Sequence, residues 1–435
     1  MSAQNVTHLA ASLLVMQSKI KAALYGMYIG DALAMPVHWY YDTSRIRKDF
    51  GKKGIQKYEA PVKHFPGSIM NLSNTGGGGR GSDKDSIVGE VILHGKKKFW
   101  ARGGSYHYHH GMSAGENTLD TLIARLMLQT LLSLEDGNRD LTSMYDDTKN
   151  AKKSKKTKID KNAFTETFLD DYIQFMTTPD THNDVYAATA HRMFFANYAN
   201  KFDKFECADN DGHNTDSVDG IINILVISLN QMVVKAREAS NQNTPLLNDL
   251  QVGVMNNESK NETLKKALFD SINVIRESEQ LPLYGYIYHN LLTKLILEQK
   301  ELRPAIIEII DENPSVFKSG MRGLSKERLE EFRKSDASAD PMSACYVASN
   351  FPVTLMLAYK YADSLEKALL ASANAGGENV NRNALLGGIM GASTGMTKEV
   401  ERLMDGLVMK KDLVKEVEMF SNIQNITNER INSEL

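Results

Sequence analysis

Gly26 and Gly30 stand four residues apart in an apolar stretch, and that spacing constrains the fold more than any other local feature. Ile20, Ala23, Leu24, Met27 and Leu33 recur around them at helical spacing, so residues 18–34 read as a helix. The two glycines leave one face of that helix without side chains, which in a soluble helix means close approach of a neighbouring helix. Asp31 falls near its C-terminal end, where the helix dipole disfavours an acid, so another group must compensate. Pro36 ends the helix.

The same periodicity runs through the chain. Leu119, Leu122, Ile123, Leu126 and Met127 form the buried stripe of a helix over 118–134. Further helices are expected over 164–176, 183–198, 214–234, 262–276, 285–300, 304–311, 325–333 and 365–373. Residues 343–361 read as a helix with a kink or break at Pro352, and 398–420 as a terminal helix. The 214–234 stretch is nearly all apolar, so it should be buried on most sides. A last buried helix runs through Gly387, Gly388, Gly391 and Ala392. No stretch alternates as a strand would, no midchain linker appears, and only 10 prolines interrupt 435 residues. The expectation is one all-α domain over 1–435, with a Lys-rich insertion at about 147–162 and a polar loop at about 240–262.

A hydrophobic share of 42% and a charged share of 24% describe a globular chain. A net charge of −3 gives no reason to expect nucleic acid or an anionic membrane as a partner. The lysines of residues 149–161 lack interleaved aromatics that would stack bases, so they read as a solvated insertion. The glycine run at 75–81 lacks the Lys-Ser or Lys-Thr and the preceding strand of a phosphate loop, and reads as loop. Cys207 and Cys345 do not make a disulfide framework, so a reducing compartment is expected. No signal-peptide pattern and no run of membrane-spanning length is apparent, which points to the cytoplasm, with the nucleus also compatible.

Four polar clusters flank the most buried helices: Gly30-Asp31, Gly115-Glu116-Asn117-Thr118-Leu119-Asp120, Gly212-His213-Asn214-Thr215-Asp216, and Gly376-Gly377-Glu378-Asn379-Val380-Asn381-Arg382-Asn383. Three of them begin a helix, where free backbone N–H groups and a partial positive charge meet anions. Any one is ordinary capping; four together, each beside an apolar helix, point to a polar site.

With Gly30-Asp31-Ala32-Leu33-Ala34-Met35-Pro36, Thr118-Leu119-Asp120-Thr121 and Gly376-Gly377-Glu378-Asn379-Val380-Asn381 in this order, the chain resembles the ADP-ribosylglycohydrolase family. That resemblance implies an all-α orthogonal multi-helix bundle. The stretch Pro36-Val37-His38-Trp39-Tyr40-Tyr41-Asp42 is most similar to the family's J-crystallin and selenoprotein branch. The implied chemistry is hydrolysis of a glycosidic bond of an ADP-ribosyl or related nucleotide-sugar substrate, free or on an ADP-ribosylated protein. Two Mg²⁺ ions carried by Asp/Thr motifs would hold the distal ribose and position water. Here Leu119 and Val380 replace one Asp of each motif, so at most one Mg²⁺ is expected, held by Thr118, Asp120 and Glu378.

Glu116, Asp31 and Asp120 are the expected catalytic carboxylates, with Glu116 placed to act as general base. Gly115, Asn117, Gly376, Gly377, Asn379, Asn381 and Arg382 are the expected substrate contacts, Arg382 meeting phosphate. Trp39 and Tyr40 offer stacking surfaces for adenine or fill the core. The histidines of His107-Tyr108-His109-His110, with His38, read either as transition-metal ligands or as loop residues. Loss of catalysis is the alternative implied by Leu119 and Val380, leaving an ADP-ribose-binding or crystallin-like structural protein.

Overall fold

In the computed structural model, the described residues are 3–73, 87–134, 159–212, 214–241, 258–318 and 323–423. The glycine run at 75–81, most of the Lys-rich insertion and most of the polar loop lie outside them. The helices in chain order are α1 (Ala3–Ala34), α2 (Thr43–Phe50), α3 (Leu119–Ser133), α4 (Ala163–Thr177), α5 (Thr189–Ala199), α6 (Asn223–Asn241), α7 (Glu258–Asn273) and α8 (Leu281–Ile296). They continue as α9 (Leu302–Glu312), α10 (Pro314–Phe317), α11 (Lys326–Arg333), α12 (Val347–Lys360), α13 (Leu365–Ala375), α14 (Val380–Thr394), α15 (Lys398–Met404) and α16 (Lys410–Ser421). Among the described residues, β pairing is limited to isolated bridges. The chain is all-α, and one hydrophobic cluster extends from Leu13 to Ile423.

The bare face of α1 meets the glycine-rich α14. A Cβ on Gly26 would lie 2.1 Å from the Gly387 carbonyl oxygen, and one on Gly30 would lie 2.1 Å from that of Asn383. A Cβ on Gly391 would lie 2.0 Å from the Ala22 oxygen. The pairs 22/391, 26/387 and 30/383 step in opposite directions, so the two helices run antiparallel with their backbones in contact. Around them, α12 and α13 pack on α14, and α16 packs on both α1 and α3.

Local signals explain the boundaries. Asn162 and Thr165 form a reciprocal capping box that starts α4, and Ser364 caps α13 through the Lys367 N–H. Several boundaries differ from expectation. Residues 183–188 are extended, and α5 starts only at Thr189. The terminal stretch splits into α15 and α16 around Gly406, whose backbone packs on Gly115. The helix α12 runs through Pro352 without ending.

The apolar stretch Val218–Arg237 is, against expectation, long and apolar enough by composition to cross a membrane. It begins as a 3₁₀ turn at Val218–Ile221 and continues in α6. It is 89% buried inside the protein, as its all-round apolar character requires of a core helix.

Candidate functional site

Two aspartates close the start of α3. Asp31, fully buried near the end of α1, accepts hydrogen bonds from Asn117 Nδ2 (2.8 Å), Thr118 N (2.8 Å) and Thr118 Oγ1 (2.6 Å). These donors are the compensation that an acid at the end of α1 requires. Burial still raises the Asp31 carboxyl above its ordinary value, against the hydrogen bonds from Thr118 and Asn117. Asp184, from the extended 183–188 segment, accepts from Leu119 N at 2.9 Å. The first N–H groups of α3 are therefore satisfied internally by carboxylates, and the anion site expected there is occupied by the protein itself.

Asp184 also begins a buried chain of four ionisable side chains. His109 Nδ1 lies 2.9 Å from Asp184 Oδ1, and His109 Nε2 lies 2.6 Å from His38 Nδ1. His38 Nε2 lies 3.0 Å from Glu378 Oε1. The two imidazoles meet edge to edge, with planes 4° apart and centroids 4.9 Å apart. Each of these three contacts needs one proton to be a hydrogen bond, and two neutral imidazoles supply only two. The chain thus holds one extra proton, giving a net charge of −1 over two carboxylates and two histidines. Burial opposes charge on both Asp184 and His109, yet their pairing wins. Asp184 is pulled down to about 2 by His109, and His109 is raised above its ordinary value by Asp184.

Trp39 ties this chain to an aromatic wall. Its indole Nε1 donates to Glu378 Oε2, and its ring stacks on His38 with centroids 4.1 Å apart. Its backbone is left-handed (φ 58°), a costly conformation for a bulky residue, held by the Trp39 N–H bond to Gly377 O. Tyr108 and Tyr186 meet the indole nearly at right angles, with centroids 4.5 and 5.0 Å away. Trp39 and Tyr186 are only half-buried.

Asp120, in the first turn of α3, keeps 14% of its side chain exposed and faces His191 Nε2 at 3.5 Å. His191 Nδ1 is in turn 2.7 Å from the Tyr172 hydroxyl. Beside them a buried ion pair joins Arg276 Nη2 to Asp219 Oδ2 at 2.5 Å, with Ser217 Oγ hydrogen-bonded to both residues. Burial would raise the Asp219 carboxyl, but the Arg276 charge outweighs it and holds the group below its ordinary value. Asp120 contributes to the field at Arg276, and both Asp120 and Asp219 to that at Tyr186, so these groups share one electrostatic neighbourhood.

The structure separates the remaining expected residues from this neighbourhood. Glu116 accepts from Ser113 N and Asn183 Nδ2 and lines a different pocket. Gly115, Gly376 and Gly377 have positive φ and pack against backbone; a Cβ on them would lie 2.0 Å from Gly406 O, 2.3 Å from Tyr40 O and 2.3 Å from Ser343 O. They fasten segments together rather than face a ligand. Asn379 Nδ2 donates to Val37 O and Ala373 O, and the Asn381 N–H approaches Glu378 Oε1 at 3.4 Å.

Arg382, expected to meet phosphate, is fully buried. Its guanidinium donates to Ser372 Oγ, Ser343 Oγ, Ser372 O and Gly376 O. The reason is the φ-positive turn at Gly376-Gly377, which folds carbonyls back over the start of α14. Tyr40 stacks on Phe65 in the core instead of offering a ligand surface.

The donors present do not fit a Mg²⁺ site. The Thr118 hydroxyl gives its proton to Asp31, and the two Glu378 oxygens face His38 and Trp39. Asp120 remains beside cationic groups, and no group of three or more His, Cys, Asp or Glu among the described residues is arranged to hold an ion. His109 likewise uses both ring nitrogens inside the protein, which leaves neither for a transition metal.

Sequence reasoning missed Asp184, His191, Asp219 and Arg276. Asp184 was hidden because residues 183–198 read as a single helix. The other three stand alone in apolar or mixed stretches, with no spacing that marks them. His38 and His109 were visible as histidines near two motifs, but their pairing across 71 residues was not.

A sequence model of one protein family, described as ADP-ribosylglycohydrolase, matches residues 13–428. No curated relative matches the sequence. One solved structure, an ADP-ribosylglycohydrolase-related protein complex, matches at 13% identity over 94% of this chain and 98% of that chain, with a TM-score of 0.46.

Proposed function

The chain belongs to the ADP-ribosylglycohydrolase family, and from that premise we propose that it hydrolyses a glycosidic bond of an ADP-ribosyl or related nucleotide-sugar substrate, with Asp120 as the working carboxylate. One observation carries the reading. Asp120 is the motif carboxylate that no short internal hydrogen bond consumes, and it stays partly exposed while Asp31 and Glu378 are buried. A carboxylate in that position orients a water and takes its proton as the water oxygen bonds to the anomeric carbon and the glycosidic bond breaks, the departing acceptor taking a proton from solvent. His191, steadied by Tyr172, is placed to orient Asp120. Trp39 and Tyr186 supply aromatic surface for a base. The free thiols of Cys207 and Cys345 support an intracellular setting, cytoplasmic or nuclear.

A second reading is a binding protein without turnover, favoured by the internal use of Asp31, Thr118 and Glu378. Titration of ADP-ribose in Mg²⁺ and in EDTA, followed by release assays on ADP-ribosylated protein, separates the two. The hydrolase reading expects chelator-insensitive turnover that Asp120→Asn lowers by about 10²-fold or more, with ADP-ribose binding retained. Binding without product supports the second reading, and full activity in Asp120→Asn refutes the assigned site.

A further inference from the structure

Side chains, not a sheet, hold the segment that carries Asp184 and Tyr186. Residues 182–188 belong to no helix, and no bridge among the described residues includes them. Backbone carbonyls in such a segment need donors from elsewhere when they are buried. Lys96 Nζ donates to His182 O at 2.6 Å and to Asp184 O at 2.9 Å. Trp100 Nε1 donates to Val185 O at 2.8 Å, and Arg192 Nε to Ala187 O at 3.2 Å. Lys96 and Trp100 stand at the two ends of one 3₁₀ turn, so a single short element grips three of these residues.

Trp100 also fixes a side chain. Its ring lies parallel to that of Tyr186, with planes 4° apart and centroids 5.5 Å apart. The Arg192 guanidinium carbon stands over the same indole, 5.2 Å from its ring centroid. Trp39 and Tyr108 meet the Tyr186 ring nearly at right angles, with centroids 5.0 and 5.6 Å away. Trp100 is only 3% exposed, so it offers a ligand no surface, while Tyr186 keeps part of its own. An effect of Trp100 on binding must therefore pass through the residues it holds.

We infer that Trp100 is a positioning residue for the aromatic wall: by stacking on Tyr186 and anchoring Val185 O, it sets how tightly Trp39 and Tyr186 hold the base of a nucleotide-sugar ligand. The inference rests on the reading that this wall takes a base, and it applies to a hydrolase and to a binding protein alike.

The test is a double-mutant cycle, read by calorimetric titration of ADP-ribose into the full-length protein. Base stacking on an aromatic ring is worth about 5- to 150-fold in affinity. Tyr186→Ala should raise Kd within that range, and Trp100→Leu by about fivefold or more. The double variant should bind no more weakly than Tyr186→Ala alone, because Trp100 acts through the ring that is gone. Trp100→Phe keeps a ring against Tyr186 and should stay within about threefold of wild type. Trp100→Met takes the place of Trp100→Leu should the latter not fold. A merely structural loss would lower the stoichiometry of the titration and leave Kd where it was. Additive losses in the cycle, a Trp100→Phe variant as weak as Trp100→Leu, or a Trp100→Leu Kd within about twofold of wild type while Tyr186→Ala binds weakly, would each overturn the inference and leave the base-binding reading standing. No binding by the wild type, or a Kd unchanged by Tyr186→Ala, refutes that reading and the inference with it.

Discussion

Replacing His109 by Leu removes the centre of the Asp184–His109–His38–Glu378 chain. Asp184 keeps two backbone donors, Leu119 N and Tyr186 N, so it stays ionised but loses its counter-charge. In the wild type its carboxyl sits at about 2 against an ordinary 3.8. That gap is worth about 2 kcal/mol of stability at neutral pH. The substitution also orphans the buried His38 Nδ1. Breaking a buried pair from one side costs about 3–5 kcal/mol in comparable cases, and the upper half of that range is expected here. For 435 residues unfolding as a unit, the entropy at the midpoint is about 0.9 kcal/mol/K, so the melting temperature should fall by about 4–6 °C.

Trp39, which donates to Glu378 and stacks on His38, is one of only two tryptophans, so its fluorescence follows the loss locally. The double variant His109→Leu/Asp184→Leu should recover at least half of the loss, because an apolar replacement of a buried pair is close to neutral. Part will stay lost, since Leu119 N then lacks its cap. The reasoning fails if the single variant costs under about 1 kcal/mol, or if the double variant is less stable by the sum of both single losses.

The same pair sets a pH window. The Asp184 contribution is full above its ordinary value of 3.8 and is lost as pH falls toward about 2. The raised His109 contributes fully below its ordinary value of 6.5, and its share is lost as pH rises through its folded value. The stability difference between wild type and His109→Leu should therefore be greatest between about pH 4 and 6.5 and shrink on both sides, as urea unfolding across pH will show. At the helix pair, Gly387→Ala should destabilise by about 3 kcal/mol, the upper end for overpacking. Its Cβ would sit 1.9 Å from the Gly26 carbonyl with backbone on both sides, and a melting temperature within 1 °C of wild type, about 0.9 kcal/mol, would show that the helices can part.

The fold was legible because its strongest constraints are local. Apolar periodicity marks α1, α3 and α6, and the bare face of α1 demanded a partner that proved to be the equally bare α14. The misread boundaries have physical causes. Residues 183–188 carry apolar residues at helical spacing, but the Asp184 side chain is held by Leu119 N and Tyr186 N, which fixes an extended segment. At Gly406, lack of a side chain admits Tyr58 against the backbone and breaks the terminal helix. The site was legible only in part. Motifs named Asp31, Thr118, Asp120 and Glu378, but the identity of their partners depends on contacts between distant segments, such as His38 with Glu378 across 340 residues.

Those partners decide the chemistry. A carboxylate in an apolar interior must be matched by a cation or by several donors. Asp31 is met by Asn117 and Thr118, Asp184 and Glu378 by the protonated histidine pair, and Asp219 by Arg276. Each match uses groups of the chain itself: neutral donors at Asp31, one shared proton for Asp184 and Glu378, and a full counter-charge only at Asp219. Asp120 is more exposed than any of these acids, 14% of its side chain against 5% or less, and has His191 at 3.5 Å instead of a short, saturating hydrogen bond. A carboxylate that is oriented but still free to accept a proton is what water activation needs. On the hydrolase reading, Asp120 works without a second motif aspartate beside it, since the Leu119 and Val380 side chains carry no ligand atoms.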